Sequence, residues 1–460
     1  MSAATLDSLP THEEAAAHAA EMMTQAVAAG VVAAGHPAIQ SGGWMWQRAY
    51  RDASLKAERA AAAEATDGLT AASAGVVDPE GFWASDRREI QHLMAQARRF
   101  KLSPWAMLGG TLGRAAASIP YDIPFRSFLG RRPVNLLLAV VGSTGGGKTA
   151  TENAVAEIFD FGRDLGYAHE VGSGEAIASL FGHIATRDDK ELDVKRGDLI
   201  WRSADHMARV IFDEVGRLNA VQARQGATVL EYLKSGESGA PLGRKLAAGD
   251  GIEIPPNAYR LVATLNVQPA RAHLIMSADE AAGGLPGRML WLDSEYAPFV
   301  GLRRDGRYPE RMRLGRPDWR GIETIEATGD MEAEFDRQRD LSLAGALDPM
   351  ESHSAMLRAK VAACLMAMAG RAALVDEDWD LAGLVIEHSR RTRRKVLRAI
   401  AQADQEAAGA GDVLREQTVL AQMRKKRAQG MTMGAARKSL GAYQRTLWDG
   451  LLATGAAESW

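Results

Sequence analysis

Residues 134–149 read VNLLLAVVGSTGGGKT, and the fold turns on this stretch. The apolar run 134–141 is too short for a typical helix. It reads as a strand buried on both faces, as in a parallel sheet. Gly142, Ser143, Thr144, Gly145, Gly146, Gly147, Lys148 and Thr149 then match the pattern G-x-x-x-x-G-K-[ST]. Glycines let successive backbone N–H groups turn inward around phosphate oxygens. Residues 150–161 have helical periodicity, so a helix N-terminus faces the same place. Lys148 is placed to reach the β- and γ-phosphates, and the Thr149 hydroxyl to ligate Mg²⁺. A glycine-rich surface turn with a lysine is the plain alternative. The strand before and the helix after favour the phosphate loop, with ATP and Mg²⁺ as cofactors.

Working outward, four more strands are expected at 167–171, 208–213, 259–265 and 289–293. Helical segments at 174–183, 217–234 and about 269–278 separate them. Alternation of this kind predicts an α/β fold with a parallel five-stranded sheet. The third strand ends in Asp213-Glu214. Phosphoryl transfer needs a carboxylate on the metal and a group that orients the attacking water. Asp213 suits the first role, together with Thr149, and Glu214 the second, as general base. The fourth strand runs into Asn266, suited to bonding that water or the γ-phosphate, with Gln268 as a competitor; an Asn that opens a turn is the plain reading. Arg288 precedes the last strand. It is read as an arginine finger toward a neighbouring subunit, against a loop cap or a pair with Asp293.

The remainder divides by composition. Residues 1–80 are alanine-rich and read as a helical arm, with a capping box at Thr11 and Glu14. Residues 81–130 hold a helical pair, the second helix opened by Ser103-Pro104. An ATPase core at 131–300 follows, then a linker and helical lid at 301–405. A last module at 412–460 reads as three helices with a short tail as wing, hence a winged helix-turn-helix. The 46% hydrophobic and 25% charged composition excludes a disordered chain. A lone Cys364 excludes a disulfide scaffold and points to a cytoplasmic setting. It reads as core, not nucleophile. No run approaches the roughly 18 apolar residues of a membrane span. The histidines show no metal-binding spacing.

The order of phosphate loop, Asp-Glu strand, Asn strand, Arg and last strand resembles the AAA+ ATPase core. More narrowly, residues 82–109, 135–149, 172–183, 223–239, 259–272, 283–293 and 375–389 resemble helicase-like ATPases of phage, plasmid and integrated-element replication modules. These are related to the helicase half of primase–helicases. The resemblance implies a ring, usually a hexamer, with ATP at subunit boundaries and DNA in the channel. It leaves room for a primase or other replication partner. For the channel contact, 242–246 and 252–254 fit a hairpin carrying Arg244 and Lys245; an ordinary charged loop is the alternative.

Net charge is −3, so nucleic-acid contact must be local. From Glu387 onward there are 14 Lys/Arg against 7 Asp/Glu. That excess is the footprint of a polyphosphate partner. Arg390, Arg391, Arg393 and Arg394 form its first cluster, 424–427 a second, and Gln444 with Arg445 opens the expected recognition helix. A solvated basic face of a protein-interaction module is the alternative. The leading functional expectation is an ATP-driven DNA helicase or translocase. A non-translocating ATPase switch stands beside it, and a small-molecule kinase is disfavoured.

Overall fold

A computed structural model describes residues 78–185, 194, 195, 197–213, 228–243, 251–303 and 309–453. The chain divides into two units, Met1–Leu397 and Arg398–Trp460. The arm at 1–77 lies outside the described residues.

In the first unit, β1 (Leu136–Val141), β2 (His169–Glu170), β3 (Met207–Phe212), β4 (Arg260–Val267) and β5 (Met289–Asp293) form one sheet. Its order is β5-β1-β4-β3-β2, and every pairing is parallel. The α/β class and the five-stranded parallel sheet are therefore as expected. β1 is buried along its whole length, which explains the absence of alternation in its sequence. Register aligns the strand ends. Asn266 pairs with Val140, Asp293 with Val141, and Leu265 with Phe212. The residues that follow β1 and β3, and Asn266 near the end of β4, thus share the carboxyl edge of the sheet, where open α/β sheets bind ligands.

The helices flanking the sheet are α1 (Arg88–Phe100), α2 (Pro104–Ser118), α3 (Lys148–Ile158), α4 (Gly174–Ser179) and α5 (Thr228–Ser238). After the sheet come α6 (Gly329–Leu343), α7 (Ser354–Met368) and α8 (Asp376–Ala428). Ser103 caps α2 by accepting from the Ala106 N–H, and Pro104 follows at the first turn, as the sequence indicates. α2 is apolar on most sides because it is buried on most sides, between the sheet and α7. A methyl group on Gly109 would sit 2.3 Å from Leu292 Cδ1 of β5, so glycine is what allows the helix this close. One core takes residues from α1, α2, β1, α3, α7 and the start of α8. The segments read as helical pair, ATPase core and lid thus share that core.

Several expected boundaries move. The helix placed at 217–234 is described only from Thr228, as α5. The helix placed at about 269–278 is a 3-10 turn, Pro269–Arg271, and a short helix, Ala278–Ala282. The break expected between 405 and 412 is absent, because α8 is continuous. Each glycine there costs about 1 kcal/mol relative to alanine, and one hydrogen bond per residue in an alanine-rich setting offsets it.

The second unit holds the end of α8 with α9 (Met433–Lys438) and α10 (Ala442–Ala453). Val419, Met423, Ala436, Leu440, Trp448 and Leu451 form its core. Three helical segments are thus present, while the tail read as a wing lies outside the described residues.

Candidate functional site

The glycine loop leaves β1 and enters α3. Gly145 and Gly147 have φ of +80° and +78°, a region only glycine adopts without strain. Gly147 is the N-cap of α3, so the first helical amides face the space the loop encloses. At Gly142 the backbone passes so near Ser294 that a methyl group would lie 1.9 Å from its Oγ. The predicted phosphate-loop residues are therefore in the predicted conformation, strand to loop to helix. Lys148 Nζ curls over the loop and donates to the Gly142 and Ser143 carbonyls at 2.9 and 2.7 Å.

Three predicted polar residues meet at one carboxylate oxygen. Thr149 Oγ1 donates to Asp213 Oδ1 at 2.9 Å, and Asn266 Nδ2 donates to the same oxygen at 3.1 Å. Thr149 and Asp213 are exposed, while Asn266 is buried. A hydroxyl and a carboxylate at this separation form the donor set that Mg²⁺ takes from a protein when water and phosphates supply its other ligands. Among the described residues no group of three His, Cys, Asp or Glu side chains is placed to hold a metal. A site with a single protein carboxylate is consistent with that. Glu214 lies outside the described residues.

The loop helix is anchored from behind. Glu152 of α3 pairs with Arg114 of α2 at 2.8 Å and with Arg209 of β3. Burial, then the neighbouring Arg114, lowers the Arg209 pKa against the pull of Glu152. On the other side, residues after β5 reach the loop. Glu295 accepts the Ser143 N–H at 3.0 Å and the Lys395 ammonium at 2.8 Å. Lys395, on α8, also donates to Asp293 at 2.8 Å. Those contacts, Lys395 first and the Ser143 amide next, hold the Glu295 carboxyl down at about 2. Glu295 does not stand out in the sequence, and Lys395 reads there as one of a generic basic cluster. The only signal is an acid directly behind the last strand.

Arg288 sits otherwise than expected. Its guanidinium donates to the Gly283 carbonyl at 2.7 Å and lies 3.5 Å from Glu237, and its side chain is only 18% exposed. Glu237 also pairs with the buried Lys360. Burial lowers the Arg288 pKa, with Glu237 opposing. Within this chain Arg288 caps the loop at Gly283 and is held by a buried carboxylate. Its expected pairing with Asp293 is taken by Lys395. Cys364 is fully buried, and burial pushes its thiol up to about 12, so the core reading stands.

The first basic run makes contacts within its own unit. Arg390 donates twice to Glu351, at 2.9 and 2.8 Å. Arg393 bonds Glu351 and the Met350 carbonyl, and Arg394 reaches Glu387 at 3.3 Å. Arg391 lies 3.5 Å from Asp78 and 3.7 Å from Glu387. These four arginines, expected to contact nucleic acid, are engaged with carboxylates of their own chain.

The hairpin expected as a channel contact exists at its base, with Leu242–Gly243 pairing antiparallel with Glu253–Ile254. Arg244 and Lys245 lie outside the described residues. Gln444 accepts from the Gly441 N–H at 3.4 Å at the start of α10, and neither it nor Arg445 is fully exposed. In the second unit Arg424, Lys425, Arg427 and Lys438 are exposed.

The chain matches no protein-family model and no curated protein sequence. Among the described residues, no helix is long and apolar enough to cross a membrane.

Proposed function

We propose that this chain is an ATPase that couples ATP hydrolysis to action on DNA, as a helicase or translocase in replication of a phage or mobile element. The observation that carries the reading is the meeting of Thr149, Asp213 and Asn266 beneath a glycine loop. In this reading Thr149 and Asp213 would hold Mg²⁺, which would supply charge neutralisation at the phosphates. The loop amides and Lys148 hold the phosphates, Asn266 fixes the Asp213 carboxylate, and Glu214 orients water. Assembly into a ring, probed by mass in each nucleotide state, follows from the resemblance to AAA+ helicase-like ATPases. Support for a nucleic-acid partner comes from the second unit, where eight Lys/Arg face two Asp/Glu between Arg415 and Ala453.

The test is ATP hydrolysis with and without single-stranded, duplex and forked DNA. Wild type is expected to hydrolyse ATP faster with DNA and to unwind a fork, and Lys148→Ala to lose hydrolysis by about 10²–10³-fold, as when one electrostatic donor to developing charge is removed. Hydrolysis that DNA leaves unchanged, with no unwinding, would defeat the motor reading. The inward Arg288 favours a second reading, a non-translocating ATPase switch. Site-specific DNA binding with nucleotide-dependent assembly and no unwinding would select it.

A further inference from the structure

A carboxylate at the edge of a phosphate site is an electrostatic problem, since it repels the triphosphate that the loop is built to hold. Glu295 is such a group. Its Oε1 holds the Ser143 N–H, an amide at the start of the loop. Its own N–H donates to Asp293 Oδ1 at 2.9 Å, which fixes the turn behind β5. Next to it, Ser294 donates its N–H to the Val141 carbonyl at 2.7 Å and closes on Gly142. The turn 293–295 therefore buttresses the loop through backbone and side chain together. Its two carboxylates meet one ammonium, Lys395 of α8, at 2.8 Å each.

We propose that Glu295 is a positioning residue for the phosphate loop and that Lys395 is its charge-compensating partner, whose ammonium lets a carboxylate remain beside bound nucleotide. The proposal rests on the nucleotide-binding reading above. It makes α8, one hundred residues away in sequence, part of the phosphate site. A purely structural ion pair would make loss of either partner lower the thermal midpoint and leave the nucleotide affinity of the folded chain unchanged. Charge compensation makes a different forecast, read in affinity. Lys395→Met leaves two uncompensated carboxylates, whereas Glu295→Gln keeps an acceptor for the Ser143 N–H and removes the charge.

The experiment is equilibrium titration of the full chain with a fluorescent ATP analogue and Mg²⁺, across wild type, Lys395→Met, Glu295→Gln and the double variant. Thermal midpoints of the unliganded proteins run alongside. Lys395→Met is expected to weaken binding on the order of tenfold, the size of one unit-charge interaction in a partly screened site. Glu295→Gln, which removes the repelling charge and keeps the acceptor, should tighten binding by up to about the same factor, and the double variant should return to within about threefold of wild type. A double variant as weak as Lys395→Met, or weaker, overturns the compensation proposal. Amide exchange of peptides covering 142–149 in the unliganded chain tests the positioning role without nucleotide. Exchange should rise in Glu295→Ala and hold in Glu295→Gln. Unchanged exchange in Glu295→Ala overturns positioning. Wild type that fails to bind the analogue at all defeats the nucleotide reading instead, so the two failures are separable.

Discussion

Two basic runs lie on helix α8, Arg390 to Lys395 in the first unit and Arg424 to Arg427 in the second. As sequence they look alike. In the first, Glu351, Glu387, Asp78, Asp293 and Glu295 take up five cations. In the second unit Arg437 pairs with Asp449, and Arg424, Lys425, Arg427 and Lys438 are exposed. The difference comes from what folds against each stretch. Acids placed before α7 and behind β5 are carried to the first run by the core, and partly dehydrated guanidinium–carboxylate bonds there are strong. The stretch from Arg415 to Ala453 holds only two acids, Glu416 and Asp449, against eight Lys/Arg, which leaves it a local positive excess. Two runs alike in sequence thus differ in how far their own chain neutralises them.

The largest expected effect falls on the second run. Changing Arg424, Lys425, Arg427 and Lys438 together to Gln should weaken duplex DNA binding about a hundredfold at moderate salt. The logarithmic salt dependence should also flatten, by roughly 0.9 for each phosphate that is no longer neutralised. Fluorescence anisotropy at several salt concentrations measures both. Unchanged affinity and slope would erase the distinction between the runs. The same titration with Arg390→Gln and Arg394→Gln should leave the slope where it was; a flatter slope would return those arginines to the DNA.

The next effect is on stability. Glu351→Gln removes the shared acceptor of Arg390 and Arg393, whose side chain in the second case is only 12% exposed. The expected loss is about 1–2 kcal/mol in urea denaturation, between exposed and buried ion-pair values. DNA affinity should not change. A stability equal to wild type would mean that the first run is only a solvated face.

These contrasts also mark what the sequence can and cannot convey. The loop at 142–149 is legible because its chemistry is local: eight consecutive residues between a strand and a helix. Thr149, Asp213 and Asn266 each stand out for lying at a strand or helix end. Only the parallel register brings them to one oxygen. The partners of Arg390 and Lys395 lie 39 and 100 residues away in sequence, and no periodicity announces them. The contact of Arg288 with Glu237 is hidden for the same reason, since the packing of α5 sets it. The bounds at 405 and 412 follow composition, which is local, while continuity of α8 is cooperative.

The smallest effect is a pH dependence. Burial raises the Glu351 pKa, but Arg390 and Arg393 together outweigh it, so the folded value lies below the ordinary 4.5. With the folded pKa depressed, the carboxylate contributes its full stabilisation above about pH 4.5 and loses it as pH falls through the folded value. The gap between wild type and Glu351→Gln in urea midpoints should therefore be open at pH 7 and close progressively below pH 4.5. A gap that stays constant down to about pH 3 would show that Glu351 acts through packing and not through its charge. In that case Arg390 and Arg393 would be held by shape alone, and the contrast between the two basic runs would rest only on the exposed cations of the second.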